Sequence, residues 1–330
     1  MVPGRIGLGL GILLAALAGT GPTARAAEPA LVKVGILNLV SDAGIFAAIE
    51  KGYFQDEGIR VELERFTGAS KMMPALVAGE LDVAGGTAAA SLFNAVASGM
   101  DFKVVADKGQ TRPGHEFLTL VVRKDLLESG AFRSLADLKG RRIALLGGSA
   151  AASHFTVGRI LAHAAIPWAG VERVEVAAPN QVALLANRQV DAAMMAEPFA
   201  ARAERAGAGR RYPLGAEVKS LERIQVAVIM YSGKFGAGRR DVAKRWMAAY
   251  VKGLRFVSEK GITGEEVLGL LIRYVRATAE DLRAAAPPYL APDGRPDVAS
   301  LAAQQDWYAQ MGFVEKKVPL EKVVDLGFLP

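Results

Sequence analysis

Strand-length apolar runs alternate with helical patterns along the first third of the chain, and few folds accommodate such an alternation. Residues 31–37 (LVKVGIL) alternate and then run apolar, as a buried strand does, and residues 43–51 continue with helical spacing up to Gly52. Residues 59–66 read as a second strand, followed by a helix through Leu76 and Val77. Residues 81–84 read as a third strand, 88–97 as a helix and 102–106 as a fourth strand. Regular alternation of this kind implies an α/β fold with a largely parallel sheet. A ligand of such a sheet sits beyond the carboxyl ends of the strands, where the βα turns gather. Here those turns are residues 38–42, 67–70 and the pair Gly86-Thr87, each with small or polar residues. Surface turns use the same residue types for conformational reasons alone, so their shared position, more than any one of them, points to a site.

A second unit lies in residues 139–164 (KGRRIALLGGSAAASHFTVGRILAHA). Residues 142–146 read as a strand, Gly147 and Gly148 as a sharp turn, and Ser149 or Ser153 as the cap of a helix running through Phe155, Ile160 and Leu161. The free N–H groups and positive dipole end of that helix suit an anionic or strongly polar ligand group. An internal echo indicates that the fold is built twice: ALVA at 75–78 with LDVA at 81–84 recurs as ALLA at 183–186 with VDAA at 190–193. Asp82 and Asp191, at matching places in the two copies, read as turn or cap residues. The second copy runs into MMAEPF, where Glu197 precedes a proline and its carboxylate can face a cleft.

Two strand-like runs, 117–123 and 224–231, flank this second half and are natural places for the chain to cross between lobes. The expected division is a lobe 1 of residues 27–116 and 221–330 and an inserted lobe 2 of residues 117–220, with residues 112–116 as a hinge-side loop. Helical patterns follow at 239–260, at 264–274 and at about 298–311; Trp307 and Tyr308 in the last read as core or lobe-packing residues.

Composition limits the function classes. The start of the chain has the grammar of a secretory signal: Arg5, an apolar run over 6–17, a small-residue break and Ala24-Arg25-Ala26, so residues 1–26 are expected to be cleaved on export. The chain has no cysteine, so the product is neither a lipoprotein nor disulfide-bonded. Losing Arg5 and Arg25 takes Lys+Arg from 40 to 38 against 34 Asp+Glu, and the formal charge from +6 to +4. The basic residues are scattered, which gives nucleic-acid binding no support. Beyond the signal no run of about twenty apolar residues predicts a membrane span. His115, His154 and His163 show no metal spacing, and no ordered Ser/His/Asp set with supporting context is evident. His154 reads as a surface histidine at a helix start.

Four segments together resemble a known family. AAIEKGYFQDEGI at 47–59, SLADLKGRRIA at 134–144, VDAA at 190–193 and EPF at 197–199 are similar to the nitrate/sulfonate/taurine and thiamine-pyrimidine-precursor group of periplasmic solute-binding proteins. The resemblance covers nearly the whole mature chain. It implies a two-lobed periplasmic-binding-protein fold of type II, each lobe a mixed, mostly parallel sheet flanked by helices, with a hinge between. It further implies a monomeric receptor in the periplasm that hands a small solute to the membrane permease of an ABC importer, without a cofactor. Carried over residue by residue, the ligand-binding set would be Asn38, Ser41, Asp42, Gly68, Ser70, Gly86 and Thr87 from lobe 1, with Gly148, Ser149, Ser153, His154, Asn180 and Glu197 from lobe 2. An anion reader would use the hydroxyls and helix terminus; a heterocycle reader would use Glu197 and a stacking ring from Phe46, Phe155 or Phe199. Enzymes share this fold, including small-molecule lyases, and they form the alternative of another class.

Overall fold

The computed structural model describes residues 28–330 apart from Gly147, Ser149 and Arg276, together with Met1 and Gly4. The side chains of Ser70 and Ala216 also lie outside that description, as do residues 1–26, where an export signal is expected, except for Met1 and Gly4. Ten strands form two five-stranded sheets. They are β1 (Ala30–Ile36), β2 (Ile59–Arg65), β3 (Val83–Thr87), β4 (Phe102–Thr111), β5 (Leu118–Arg123), β6 (Arg142–Leu146), β7 (Glu172–Val176), β8 (Ala192–Ala196), β9 (Gly209–Arg211) and β10 (Ile224–Ser232).

The first sheet has the order β2-β1-β3-β10-β4 and the second β7-β6-β8-β5-β9. In each, three parallel strands are followed by one antiparallel strand and a last strand antiparallel to that one, so four of the five run the same way. The two antiparallel strands are the ones that cross between sheets. β5 leaves the first half to enter the second sheet, and β10 returns to the middle of the first.

The internal echo is structural. Asp82 Oδ2 accepts the Lys33 N–H at 3.0 Å, and Asp191 Oδ2 accepts the Arg142 N–H at 2.9 Å, over the same separation of 49 residues. Each aspartate also pairs with an arginine just beyond or at the end of the crossing strand, Arg239 with Asp82 at 3.3 Å and Arg123 with Asp191 at 3.2 Å. Each carboxylate locks the turn before one strand to the backbone of its neighbour, the structural role expected of them.

Helices cover both sheets. In order they include α1 (Ala43–Glu50), α2 (Ala69–Ala78), α3 (Ala90–Ala97), α4 (Ala152–His163), α5 (Ala178–Ala186), α6 (Phe199–Arg205), α7 (Arg240–Lys260), α8 (Glu265–Val275), α9 (Ala279–Arg283) and α10 (Val298–Gln310). α1 is expected to be amphipathic but is almost wholly buried, because α7 and α8 close over its outer side. Two glycines make that approach close: a Cβ on Gly253 would stand 2.2 Å from the Gly44 carbonyl oxygen, and one on Gly44 2.7 Å from Leu254. Trp246, Tyr250 and Phe46 fill this core.

Three expectations for local structure are corrected. β3 runs through Gly85, Gly86 and Thr87, so these residues are strand rather than turn. β4 continues five residues past the expected end through Asp107, Lys108, Gly109, Gln110 and Thr111, because these polar groups find buried partners. α4 has Ala151 as its N-cap with no side-chain cap bond; Ser153 lies inside the helix and its hydroxyl donates back to the Leu146 carbonyl at 2.6 Å.

Beyond the two crossings, contacts between the lobes include the following. The Ala90 N–H donates to the Ala150 carbonyl at 2.9 Å, joining the start of α3 to the loop before α4. Trp307 on α10 lies against Gly158 on α4, where a Cβ would come within 2.2 Å of the ring. Asp281 on α9 accepts from Arg202 on α6 at 3.1 Å and also from Arg205. Trp307 and Tyr308 pack against Phe155 at ring distances of 5.8 and 6.5 Å, as lobe-packing residues.

Candidate functional site

The carboxyl ends of β1, β3 and β6 converge on a cavity of about 20 Å³ between the two sheets. Ser41, Thr87, Lys108 and Phe117 face it from one side and along the crossing, and Leu146 and Ser153 from the other. Leu118, Val226 and Ala227, all on the crossing strands, complete its wall.

Lys108 is the charged group of this cavity. Its side chain is fully buried, and its ammonium pairs with Asp42 Oδ1 at 2.9 Å and donates to Ser41 Oγ at 2.8 Å. The other Asp42 oxygen accepts the Leu39 N–H at 2.9 Å, which holds the turn after β1 against β4. Burying two charges costs several kcal/mol per ion, and their attraction roughly offsets that cost without exceeding it. What the pair provides is an ammonium held still at the cavity wall. An ammonium has three N–H donors; among the described residues one is given to Ser41 Oγ while Asp42 balances the charge, which leaves a donor for a further partner.

Asp107, the neighbour of Lys108, points to the opposite side of β4, as successive strand residues do. It accepts from the Gly109 N–H (3.0 Å), Gln110 Nε2 (3.0 Å), Gln225 Nε2 (2.8 Å) and the Ala291 N–H (2.9 Å). Burial raises its pKa from 3.8 to about 6, with those hydrogen bonds pulling the other way. The carboxyl therefore ties β4, β10 and the segment before α10 into one block behind the cavity.

Of the residues expected from sequence, the structure brings Ser41, Thr87 and Ser153 to the cavity, and Asp42 stands behind it through Lys108. The others are placed elsewhere. Asn38 has a left-handed backbone (φ 58°), and its side-chain oxygen accepts from Arg65 Nε at 3.3 Å. Gly68 is the extended N-cap of α2. Gly86 lies in β3, where a Cβ would press on Met230 at 2.7 Å. Gly148 is exposed in the bend after β6, and Asn180 is exposed on α5. Ser149 and the Ser70 side chain lie outside the described residues.

His154 is not the surface residue expected. It is 3 % exposed, covered by Trp168 and Phe313, with Nε2 3.0 Å from Glu175 Oε1. Burial lowers its pKa, and the hydrogen bond to Glu175 opposes that shift. Glu197 does not line the cavity. Its Oε1 pairs with Arg211 at 2.6 Å and accepts the Ala286 N–H at 3.1 Å, while Oε2 accepts the Ala201 N–H at 3.2 Å. Burial raises its pKa and the Arg211 charge opposes the rise. Glu197 thus ties the second sheet to the segment after α9. The rings considered for stacking are engaged too: Phe46 stacks on Tyr274 at 4.3 Å, Phe155 abuts Trp307, and Arg202 lies over Phe199 at 5.4 Å.

Sequence reasoning missed Lys108 and Phe117 as site residues. A signal existed for the first: VVADKGQ places an Asp-Lys pair directly on a strong strand pattern, where charge needs a buried partner.

The NMT1/THI5-like family model matches residues 40–260. The chain belongs to the NMT1/THI5-like family. No curated protein matches it in sequence. The fold of this family member is similar to that of a ligand-binding component of an ABC-type import system from Staphylococcus aureus, solved with zinc bound. The TM-score is 0.76 at 16 % identity, over 91 % of this chain and 97 % of that one. It is also similar to the alkanesulfonate-binding protein SsuA from Xanthomonas axonopodis pv. citri bound to MOPS, with a TM-score of 0.71 at 21 % identity, over 91 % and 99 % of the two chains. The desulfurization enzyme DSZB shares the fold as well, with a TM-score of 0.61 at 15 % identity, over 91 % and 97 %.

Two predictions follow from the buried charges. Replacing Asp42 by Leu strands the Lys108 charge and should cost about 3–5 kcal/mol, whereas Asp42→Leu with Lys108→Met should restore most of that loss. Urea denaturation of the two singles and the double measures this; a loss in the double equal to the sum of the two single losses would mean that the charges are not coupled. Asp107 binds its proton more tightly in the folded protein than in the unfolded chain. Its contribution to stability should therefore diminish by up to about 3 kcal/mol as pH rises from 3.8 through about 6. The stability difference between wild type and Asp107→Asn, followed across that range, should fall with pH; a flat difference contradicts the raised pKa.

Proposed function

We propose that the chain is an extracytoplasmic receptor that captures a small organic anion, of sulfonate, nitrate or taurine type, and delivers it to the membrane permease of an ABC importer. The observation that carries this reading is the Lys108 ammonium, with a donor to spare, beside the hydroxyls of Ser41, Thr87 and Ser153 around one inter-lobe cavity. We take lobe 1 as residues 27–116 and 221–330 and lobe 2 as residues 117–220. Each then supplies half of the shell, so a bound anion stabilises the closed arrangement through contacts that exist only when both halves meet. The ABC-import proteins of the same fold support the receptor role, as does family membership.

The anion is favoured over a heterocycle because the groups a heterocycle would need are engaged elsewhere. Glu197 is held by Arg211 and two backbone N–H groups, and Phe46 and Phe155 are packed in cores. An enzyme such as a small-molecule lyase is disfavoured by the cavity's chemistry. Ser153 has His154 and Glu175 in line beside it, which suggests a nucleophile and its base. However, the serine proton goes to the Leu146 carbonyl and His154 Nδ1 stands 3.5 Å away, too far for a good hydrogen bond. The protein then works as a monomer, without nucleic acid or cofactor. Among the described residues no helix is long and apolar enough to cross a membrane.

Thermal-shift screening of protein refolded free of solute tests the ligand class. An anion at a hundred times its Kd should add about 2.7 kcal/mol of stability. For an anion so verified, Thr87→Val should weaken binding about tenfold by removing one hydroxyl from a charged acceptor. Unchanged affinity in both Thr87→Val and Ser153→Ala would mean that the cavity is not the site. Full-length chain should be released from the periplasm by osmotic shock, and chain lacking residues 1–26 should stay in the cytoplasm; periplasmic release of the truncated form would overturn the export assignment.

A further inference from the structure

A second, larger cavity of about 310 Å³ lies beside the first, under the turn between β4 and β5. It is ligand-sized, whereas the inter-lobe cavity at about 20 Å³ holds little more than a small anionic head. The two are in line. On β4 the lining steps from Lys108 in the small cavity to Thr111 in the large one; on α4 it steps from Ser153 to Thr156, one helical turn on; on β10 it steps back from Val226 to Ile224. Two to three residues along a strand or helix put the spaces roughly 5–10 Å apart. Leu118 lines both, and among the described residues it is the one side chain that does, so its rotamer sets whether they join.

The charges of the two spaces differ in sign. The small cavity has the spare donor of Lys108. In the large one, Arg112 is matched by Asp297 at 3.2 Å, while Glu116 accepts only the Thr119 hydroxyl, at 2.9 Å. Among the described residues neither Glu116 nor Glu222 has a cationic partner, so the wall of the large cavity carries net negative charge.

We propose that the solute is an elongated organic anion with a cationic far end, its acidic head at Lys108 and its chain lying past Leu118 into the cavity between Thr156 and Glu116. This rests on the anion reading of the Lys108 site and adds to it the shape and second charge of the ligand. Nitrate and the shortest sulfonates fill only the head position. The longer zwitterion uses both spaces, and its ammonium meets Glu116 and Glu222.

Calorimetric titration of the full chain with straight-chain alkanesulfonates of increasing length, with and without a terminal ammonium, tests the assignment. Affinity should rise about fourfold for each methylene added until the cavity is full. The terminal ammonium should add a further increment in the longer members. Thr156→Phe, which fills the cavity, should cut the ratio of long-chain to short-chain affinity by at least about tenfold. Glu116→Gln, at a half-buried surface position that should fold regardless, should remove the ammonium increment. Binding that does not depend on length, or a Thr156→Phe variant that weakens short and long sulfonates alike, overturns the large cavity's role and leaves the Lys108 head site standing. Failure of every sulfonate to bind overturns this inference, and failure of nitrate as well overturns the anion reading on which it rests.

Discussion

The antiparallel strand in each sheet is the one that crosses between lobes, and in both cases it is an interior strand. β10 is hydrogen-bonded on one side to β3 and on the other to β4; β5 is held likewise between β8 and β9. Interior strands cannot leave their ladders without stranding backbone donors and acceptors on both sides. Each crossing therefore enters its new sheet through a strand held on both sides, and the chain between the sheets is confined to the short spans around residues 112–117 and 212–223. Phe117, Leu118, Val226 and Ala227 lie at the site-facing ends of these strands and form part of the cavity wall. The crossing strands and the candidate site thus share residues.

β4 carries the chemistry on one side and its support on the other. Lys108 reaches the cavity and Asp107 reaches away from it, where Gln110, Gln225 and the Ala291 N–H close around the carboxylate. The support is a buried network in which the Asp107 carboxylate accepts four hydrogen bonds, and it ties β4 to β10 and to the segment before α10. Further out, Asp281 with Arg202 and Arg205, and Trp307 against Gly158, clasp the lobes on either side. These contacts join the two lobes independently of the crossing strands.

Much of this was legible in the chain. The strand and helix alternation predicted the sheet, and the 75–84 and 183–193 echo predicted two related halves, down to aspartates that make the same backbone bond in each. The errors share a cause. β3 and β4 were ended too early because Gly85, Gly86, Asp107 and Lys108 do not look like strand residues. They are strand because Met230 packs over Gly86 and because Asp42, Ser41 and Gln225 satisfy the charged side chains. His154 was read as exposed because its two ring neighbours, Trp168 and Phe313, are remote in sequence.

The sequence by itself determined the secondary-structure alternation, the duplicated halves and the gathering of small polar turns at one edge. Those properties follow from local periodicity and local backbone preference, which each segment carries alone. Only the tertiary structure decided which polar groups face the cavity. Whether a carboxylate is free or bound depends on a partner far along the chain: Ser41 meets Lys108 across 67 residues, and Glu197 is capped by Ala286 across 89. Burial turns those distant pairings into large energies, because an unpaired charge away from water is far costlier than a paired one. That is why Glu197, so placed by its proline, holds the lobes together, and why an unremarked lysine in a strand became the charged centre of the site.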